Sequence, residues 1–293
     1  MKVAIVYHRI DFDGICSMAV VRQEMEKMGN KVSLIGYNYN DETPQLDEYD
    51  LVFVVDATLP VQDMKRLDSQ KKLVWIDHHH TSIQDSETNG YAGVPGLRRE
   101  GVGACELCWE YCHPGVSVPP FIVMLSAYDV WDKVRLNWET VTLPFQYGMR
   151  NRYNLDAEAF YRDFINDNER YETICVEGRA ILKYVRQTGA IACRTYGFEV
   201  TFGGVKALCL ITPTFGGLAM EESARERGCE IALCVNRVGD GAWKISGYAC
   251  NGNSPIDIGS YMKKHFHGGG HQNAAGGMLT QAQFNQLLNK KIL

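Results

Sequence analysis

The sequence predicts an α/β protein with a parallel-sheet N-terminal domain, a helical connector and a smaller α/β C-terminal domain. Short apolar runs alternate with helical stretches over residues 1–150, which signals a parallel sheet with helical crossovers. Residues 157–186 then form a long, charged, helical stretch, and strand-like runs return after Gly189. The expected boundaries are 1–150 for the first domain, 151–195 for the connector and 196–293 for the second domain.

The elements follow in order. Val3-Ala4-Ile5-Val6-Tyr7 is an apolar strand that runs into His8-Arg9-Ile10-Asp11-Phe12-Asp13-Gly14, and residues 15–28 read as a helix. Strands are expected at 32–37 and 51–55, the latter passing directly into Asp56, and a short helix follows Pro60. The run Leu73-Val74-Trp75-Ile76 ends in Asp77-His78-His79-His80. Residues 103–111 and 120–128 read as helices, the second ending near Asp129. In the connector, Phe160, Phe164, Tyr171, Ile174, Ile181 and Tyr184 are the candidate packing residues. Strands at 197–202, 207–211, 231–235 and 243–249 compose the second domain.

Composition narrows the class. The chain has 293 residues, 45% hydrophobic and 22% charged, enough for two ordinary cores. No apolar run approaches the roughly 20 residues of a membrane span, and no secretory pattern opens the sequence, so the expected compartment is the cytoplasm. The net charge of −5 argues against sequence-independent binding to long nucleic acid. Ten cysteines are scattered through apolar segments, as buried thiols are in a reducing compartment. Cys105, Cys108 and Cys112 with His113 hint at zinc, but their spacing also makes one face of a helix, and core packing is the favoured reading.

Three apolar strands thus deliver Asp and His at their C-terminal ends. In an open parallel sheet, ligands collect in the crevice beyond those ends, where Asp11, Asp13, Asp56, His78 and His79 would gather. Mixed imidazole and carboxylate donors suit manganese, iron, cobalt or zinc better than calcium. The carboxylates exceed the needs of one ion, which points to two. Near the C-terminus, His267-Gly268-Gly269-Gly270-His271-Gln272-Asn273-Ala274-Ala275 supports two readings: a structural turn, or an amide nest for anions with Ala274-Ala275 opening a helix.

These motifs together resemble the DHH phosphoesterase superfamily, whose signature triplet appears here as Asp77-His78-His79. His8 with Asp11-Phe12-Asp13-Gly14 resembles the first motif, Asp56 the second, and Asp129 in Ala127-Tyr128-Asp129-Val130 the fourth. Gly268-Gly269-Gly270-His271 with Ala274-Ala275-Gly276 resembles the DHH-associated C-terminal domain of the RecJ-like nuclease, oligoribonuclease and phosphoadenosine phosphate phosphatase branch. Only Arg9 and Ile10 separate His8 from Asp11, one residue fewer than in many relatives. Tyr248 stands where the associated domain commonly carries an Arg.

The resemblance implies an active site in the interdomain cleft, with His8, Asp11 and Asp56 on one ion and Asp13, Asp56, His78 and Asp129 on the other. The ions are expected to be manganese. Asp56 would bridge the two ions, His79 would face the substrate phosphate, and Asp77 would orient its neighbours. Gly268, Gly269, Gly270, His271 and Asn273 would bind substrate. The expected activity is hydrolysis of short single-stranded oligonucleotides or small phosphorylated nucleotides through attack by a metal-bridging hydroxide. The competing readings are a pyrophosphatase or exopolyphosphatase, with Arg98, Arg99 or Lys263 as phosphate ligands, and a non-catalytic nucleotide-binding regulator. No membrane partner is expected, and a homodimer is left open.

Overall fold

Strands β1 (Lys2–His8), β2 (Lys31–Tyr37), β3 (Leu51–Val55) and β4 (Leu73–Ile76) form an all-parallel sheet in the order β2-β1-β3-β4. The computed structural model describes residues 1–39, 41–166, 171–239, 241–250, 252 and 254–289. Within residues 1–166 the helices are α1 (Phe12–Lys27), α2 (Val61–Ser69), α3 (His80–Asn89), α4 (Ala104–Cys112), α5 (Pro120–Asp129), α6 (Leu143–Tyr153) and α7 (Ala157–Asn166), with a π-helical turn at Trp138–Thr142. Alternation along β1 feeds two cores. Val3, Ile5 and Tyr7 pack with Phe12, Ile15, Cys105 and Leu125 on one face, while Ala4 and Val6 pack with Met64, Leu67 and Trp75 on the other. Burial on both faces explains why these strands are nearly continuous apolar runs.

The strand order places a reversal between β1 and β3. From β1 the chain crosses to β2 on one side, then returns to β3 on the other. The crossovers leave on opposite sides there, so a crevice opens beyond the carboxyl ends of β1 and β3.

Helix α8 (Tyr171–Tyr196) runs across the boundary between two compact units, residues 1–181 and 182–293. Residues 167–170 of the expected connector lie outside the described residues. The second unit is built on β5 (Phe198–Phe202), β6 (Val205–Ile211), β7 (Ile231–Val238), β8 (Ala242–Ala249), β9 (Gly269–His271) and β10 (Ala274–Leu279). Their order is β5-β6-β7-β8-β10-β9, with β6 and β7 parallel and the other neighbours antiparallel. Of its helices, α10 (Ile258–Phe266) and α11 (Gln281–Leu288) cover one face through Met262, Phe266 and Phe284. On the other face lie Met220 and Ala224 of α9 (Gly217–Glu226), with Cys193.

The glycine-rich segment departs from the expected helix. Ala274-Ala275 opens strand β10, paired to β8 and β9, and the glycines serve close approach. A Cβ on Gly268 would lie 1.9 Å from the Gly276 carbonyl oxygen, and one on Gly277 would lie 2.7 Å from Phe266 Cβ. Gly270 adopts φ +140°, which favours glycine. Tyr248, expected to stand in place of the family Arg, lies against Gly217, where an added Cβ would come within 2.3 Å of its ring.

All ten cysteines are free thiols. Cys105 and Cys108 are completely buried in the first core. No helix among the described residues is long and apolar enough to cross a membrane.

Candidate metal centre

His8, Asp56 and His78 sit at or just beyond the ends of β1, β3 and β4, and local structure turns each toward the crevice. Asp11 caps α1, its Oδ1 accepting from the Gly14 amide at 2.9 Å, while Oδ2 lies 2.7 Å from His8 Nδ1. Gly14 makes this possible, since a Cβ there would fall 2.0 Å from the His8 carbonyl oxygen. Asp56 takes φ 52°, a left-handed conformation that Asp tolerates better than most residues and that costs about 1–2 kcal/mol. Its amide donates to the Ile76 carbonyl of β4 at 3.0 Å, which anchors the turn.

Asp13 is held by the start of α4. Its carboxylate accepts from the amides of Ala104 at 2.7 Å and Cys105 at 2.8 Å. Gly103 lets that helix end approach, because a Cβ there would lie 2.9 Å from Asp13 Oδ1 and 2.8 Å from Ser126 Cα. The sequence marks 103–111 only as a core helix and gives no sign of this support. Gly103 before a helix is also a common cap, so the residue alone carries no site signal.

Asp77 is completely buried, and its oxygens are occupied by donors. Oδ1 accepts from the amides of His78 at 2.7 Å and His79 at 3.2 Å and pairs with His79 Nδ1 at 2.7 Å, and Thr58 donates to Oδ2 at 2.8 Å. Asp77 therefore fixes the loop and the His79 ring. Thr58 was not anticipated, since a threonine after a strand end has no distinguishing pattern.

The donor atoms converge in overlapping groups. His8, Asp11 and Asp56 form one that could hold a metal ion, and Asp13, His78 and Asp129 form another. Asp56 Oδ2 lies 3.7 Å from His8 Nδ1, and Asp56 Oδ1 lies 3.2 Å from His78 Nε2. His78 Nε2 is also 3.2 Å from Asp129 Oδ2 and 3.6 Å from Asp13 Oδ2. The two Asp56 oxygens thus reach toward both groups. A third grouping joins Asp56, Asp77, His78 and His79, but the donors already on Asp77 favour an orienting role there. Asp132 instead caps a turn, its Oδ1 accepting from the amides of Val134 and Arg135 at 3.0 Å each.

The electrostatics are those of a cation site. Burial pushes the Asp13 carboxyl up, and the neighbouring Asp56 and Asp129 charges push it further. Asp129 rises to about 7, chiefly by burial, against the pull of His78. Burial also disfavours the charged imidazoles, but Asp11 and Asp56 outweigh it and carry His8 up to about 11. Asp56, with Asp129 and Asp13, carries His78 to about 11, and Asp77 carries His79 to about 9. Asp56 is held below the usual carboxylate range by His78 and His8 despite its burial. Protons on the imidazoles therefore offset the clustered carboxylates where cations would otherwise do so. Among the described residues, His8 Nε2 is buried without a hydrogen-bond partner, a costly state that ligation relieves. These residues fit divalent ions.

The remaining expected substrate residues lie in the second unit. Gly269 and His271 are exposed on β9, and the Asn273 side chain accepts from the Ser254 amide at 2.9 Å. Of the expected phosphate-binding cations, Arg98 donates to the carbonyls of Trp75, Pro95, Ala92 and Val94. Arg99 pairs with Glu110 at 2.6 Å.

Residues 2–117 match the DHH family, N-terminal domain. No curated protein sequence matches the chain. Among solved structures, the pGpG-specific phosphodiesterase PggH from Vibrio cholerae is similar at 15% identity, over 99% of this chain and 97% of that one, with a TM-score of 0.57. RecJ from Thermus thermophilus in complex with Mn2+ is similar at 14% identity over 99% of this chain, with a TM-score of 0.54; this chain spans 51% of it. An exopolyphosphatase-related protein from Bacteroides fragilis is similar at 13% identity, over 99% and 92% of the two chains, with a TM-score of 0.52. At these identities the likeness is one of fold.

Proposed function

From a chain whose residues 2–117 match the DHH family, N-terminal domain, we propose a divalent-metal-dependent phosphoesterase that hydrolyses short oligonucleotides or nucleotide phosphates. The observation that carries this reading is Asp56, whose two oxygens reach toward two donor groups at the sheet's switch point. His8, Asp11 and Asp56 would hold one ion, and Asp13, Asp56, His78 and Asp129 the other, with manganese the expected metal. When bound, such ions supply Lewis-acid charge to the phosphoryl group and lower the pKa of water.

The chain's own residues do the rest. Asp13 is immobilised by the α4 amides, so its carboxylate is preorganised. Asp77 locks the His79 ring, which then stabilises charge developing on the substrate phosphate. Within the second unit, His271 and the backbone of Gly268, Gly269 and Gly270 are the groups suited to hold a phosphate. Arg98 and Arg99 are committed to protein partners, which weakens a polyphosphatase reading that needs several cationic ligands.

The test is a product-resolved activity screen with manganese over di- to pentanucleotides, phosphoadenosine phosphate, cyclic dinucleotides and polyphosphate. Release of nucleoside monophosphate or inorganic phosphate from the nucleotide substrates is the expected result. Turnover of polyphosphate alone, or of nothing, refutes it.

A further inference from the structure

The N-terminal unit carries a cavity of about 330 Å³ beside the metal centre, a size at the lower end for small-ligand sites. Tyr37, Tyr39 and Tyr91 line it, and Thr58 lies on its wall. Two features tie it to the metal centre. Tyr39 packs edge-on against the rings of His8 at 5.6 Å and His79 at 6.3 Å, and Thr58 bonds Asp77. A group in this cavity would therefore lie next to a phosphate held at the centre.

The lining is rich in aromatic faces and hydrogen-bond donors. Val61 opens helix α2 at the cavity, Thr81 and Ser82 lie there in the first turn of α3, and among the described residues neither helix has a side-chain cap for its first amides. Tyr91 is 2% exposed, and its hydroxyl is buried with no hydrogen-bond partner among the described residues. Such a group is costly to leave unmet. Among the described residues the lining has no Lys or Arg but includes Asp85, which disfavours a second phosphate. A flat group with π faces, edge acceptors for the donors and edge N–H groups for Asp85 meets every feature.

We propose that the cavity between Tyr39 and Tyr91 holds the nucleobase of the substrate whose phosphate sits at the metal centre. The inference rests on the phosphoesterase reading and deepens it, making the enzyme selective for nucleotides over base-free phosphoesters. Tyr39 supplies the stacking face, and the Tyr91 hydroxyl reads the base edge.

The test uses the full manganese-loaded chain and calorimetric titration with AMP, GMP and ribose 5-phosphate. At least one nucleotide should bind more tightly than ribose 5-phosphate by about 5- to 150-fold, the range of one base–aromatic stack. Tyr39→Leu should close that gap, and Tyr39→Phe should restore it, which separates stacking from misfolding. Tyr91→Phe should weaken the nucleotide by about 2- to 12-fold, one hydrogen bond's worth, and leave ribose 5-phosphate unchanged. Equal binding of nucleotides and ribose 5-phosphate, or a gap that survives both Tyr39→Leu and Tyr91→Phe, overturns the proposal. A gap that behaves as expected in a protein that hydrolyses no nucleotide supports the cavity and refutes the phosphoesterase reading.

Discussion

Asp129 and Asp132 show how little separates a candidate ligand from a cap. Asp129 ends the apolar helix α5 and Asp132 follows it, yet Asp129 lies 3.2 Å from His78 while Asp132 accepts two turn amides. Asp129→Asn is expected to lose manganese and activity together, and Asp132→Asn to keep both; the reverse, in metal analysis of the two purified variants, would move the ligand to Asp132. Thr58 makes a subtler case, because its hydroxyl supports Asp77 rather than any ion. Thr58→Val should retain manganese but lose about 10- to 100-fold in catalytic efficiency, the usual cost of removing an outer support. Unchanged steady-state kinetics would show that Asp77 needs no such donor. Asp56 was legible because a charged residue ending a very apolar strand has few structural uses. Thr58 was not, since its role depends on Asp77, which comes to it only through β3–β4 pairing.

Among the elements, α4 links folding to the site. Its first amides grip Asp13, and Gly103 admits them. Gly103→Ala should destabilise the chain by about 1–3 kcal/mol through overpacking, and should weaken manganese binding by displacing the Asp13 support. Gly93→Ala, where an added Cβ meets nothing within 4 Å, is the control and should change stability by less than about 0.5 kcal/mol. Denaturant unfolding and metal titration of the same two variants read both effects; a Gly103→Ala protein with wild-type metal affinity would detach α4 from the site. Strands β1, β3 and β4 were visible as apolar runs because both sheet faces are buried. Helix α3 was hidden because its sequence is mostly polar, and β9 and β10 because glycine-rich strands carry little apolar alternation.

For the whole molecule, the metal core and the second unit are expected to make separable contributions. Manganese at about 100 times its Kd should stabilise the chain by about 2.7 kcal/mol for each ion bound. Chelation should accordingly lower Tm by about 5–10 °C for each ion removed, and an unchanged Tm would deny specific ion binding. His271→Ala should cost one charge-assisted hydrogen bond of about 1.5–3 kcal/mol, about a 10- to 150-fold loss of kcat/KM. Its manganese content should be unaffected; unchanged kinetics would remove the phosphate role, and lost manganese would make His271 a ligand. The division into an α/β sheet unit and a smaller α/β unit was legible from the return of strand signals after Gly189. The role of the glycine-rich segment was not, because a turn, a nest and a packed hairpin all call for glycine. The most direct measurement is calorimetric titration of manganese into metal-free wild type and Asp56→Asn, with hydrolysis of a dinucleotide followed on the same samples. Two ions per wild-type chain with turnover, and loss of high-affinity binding and turnover in a folded Asp56→Asn protein, is the expected result. An Asp56→Asn protein that keeps both ions and near-normal turnover would contradict a shared carboxylate at the switch point.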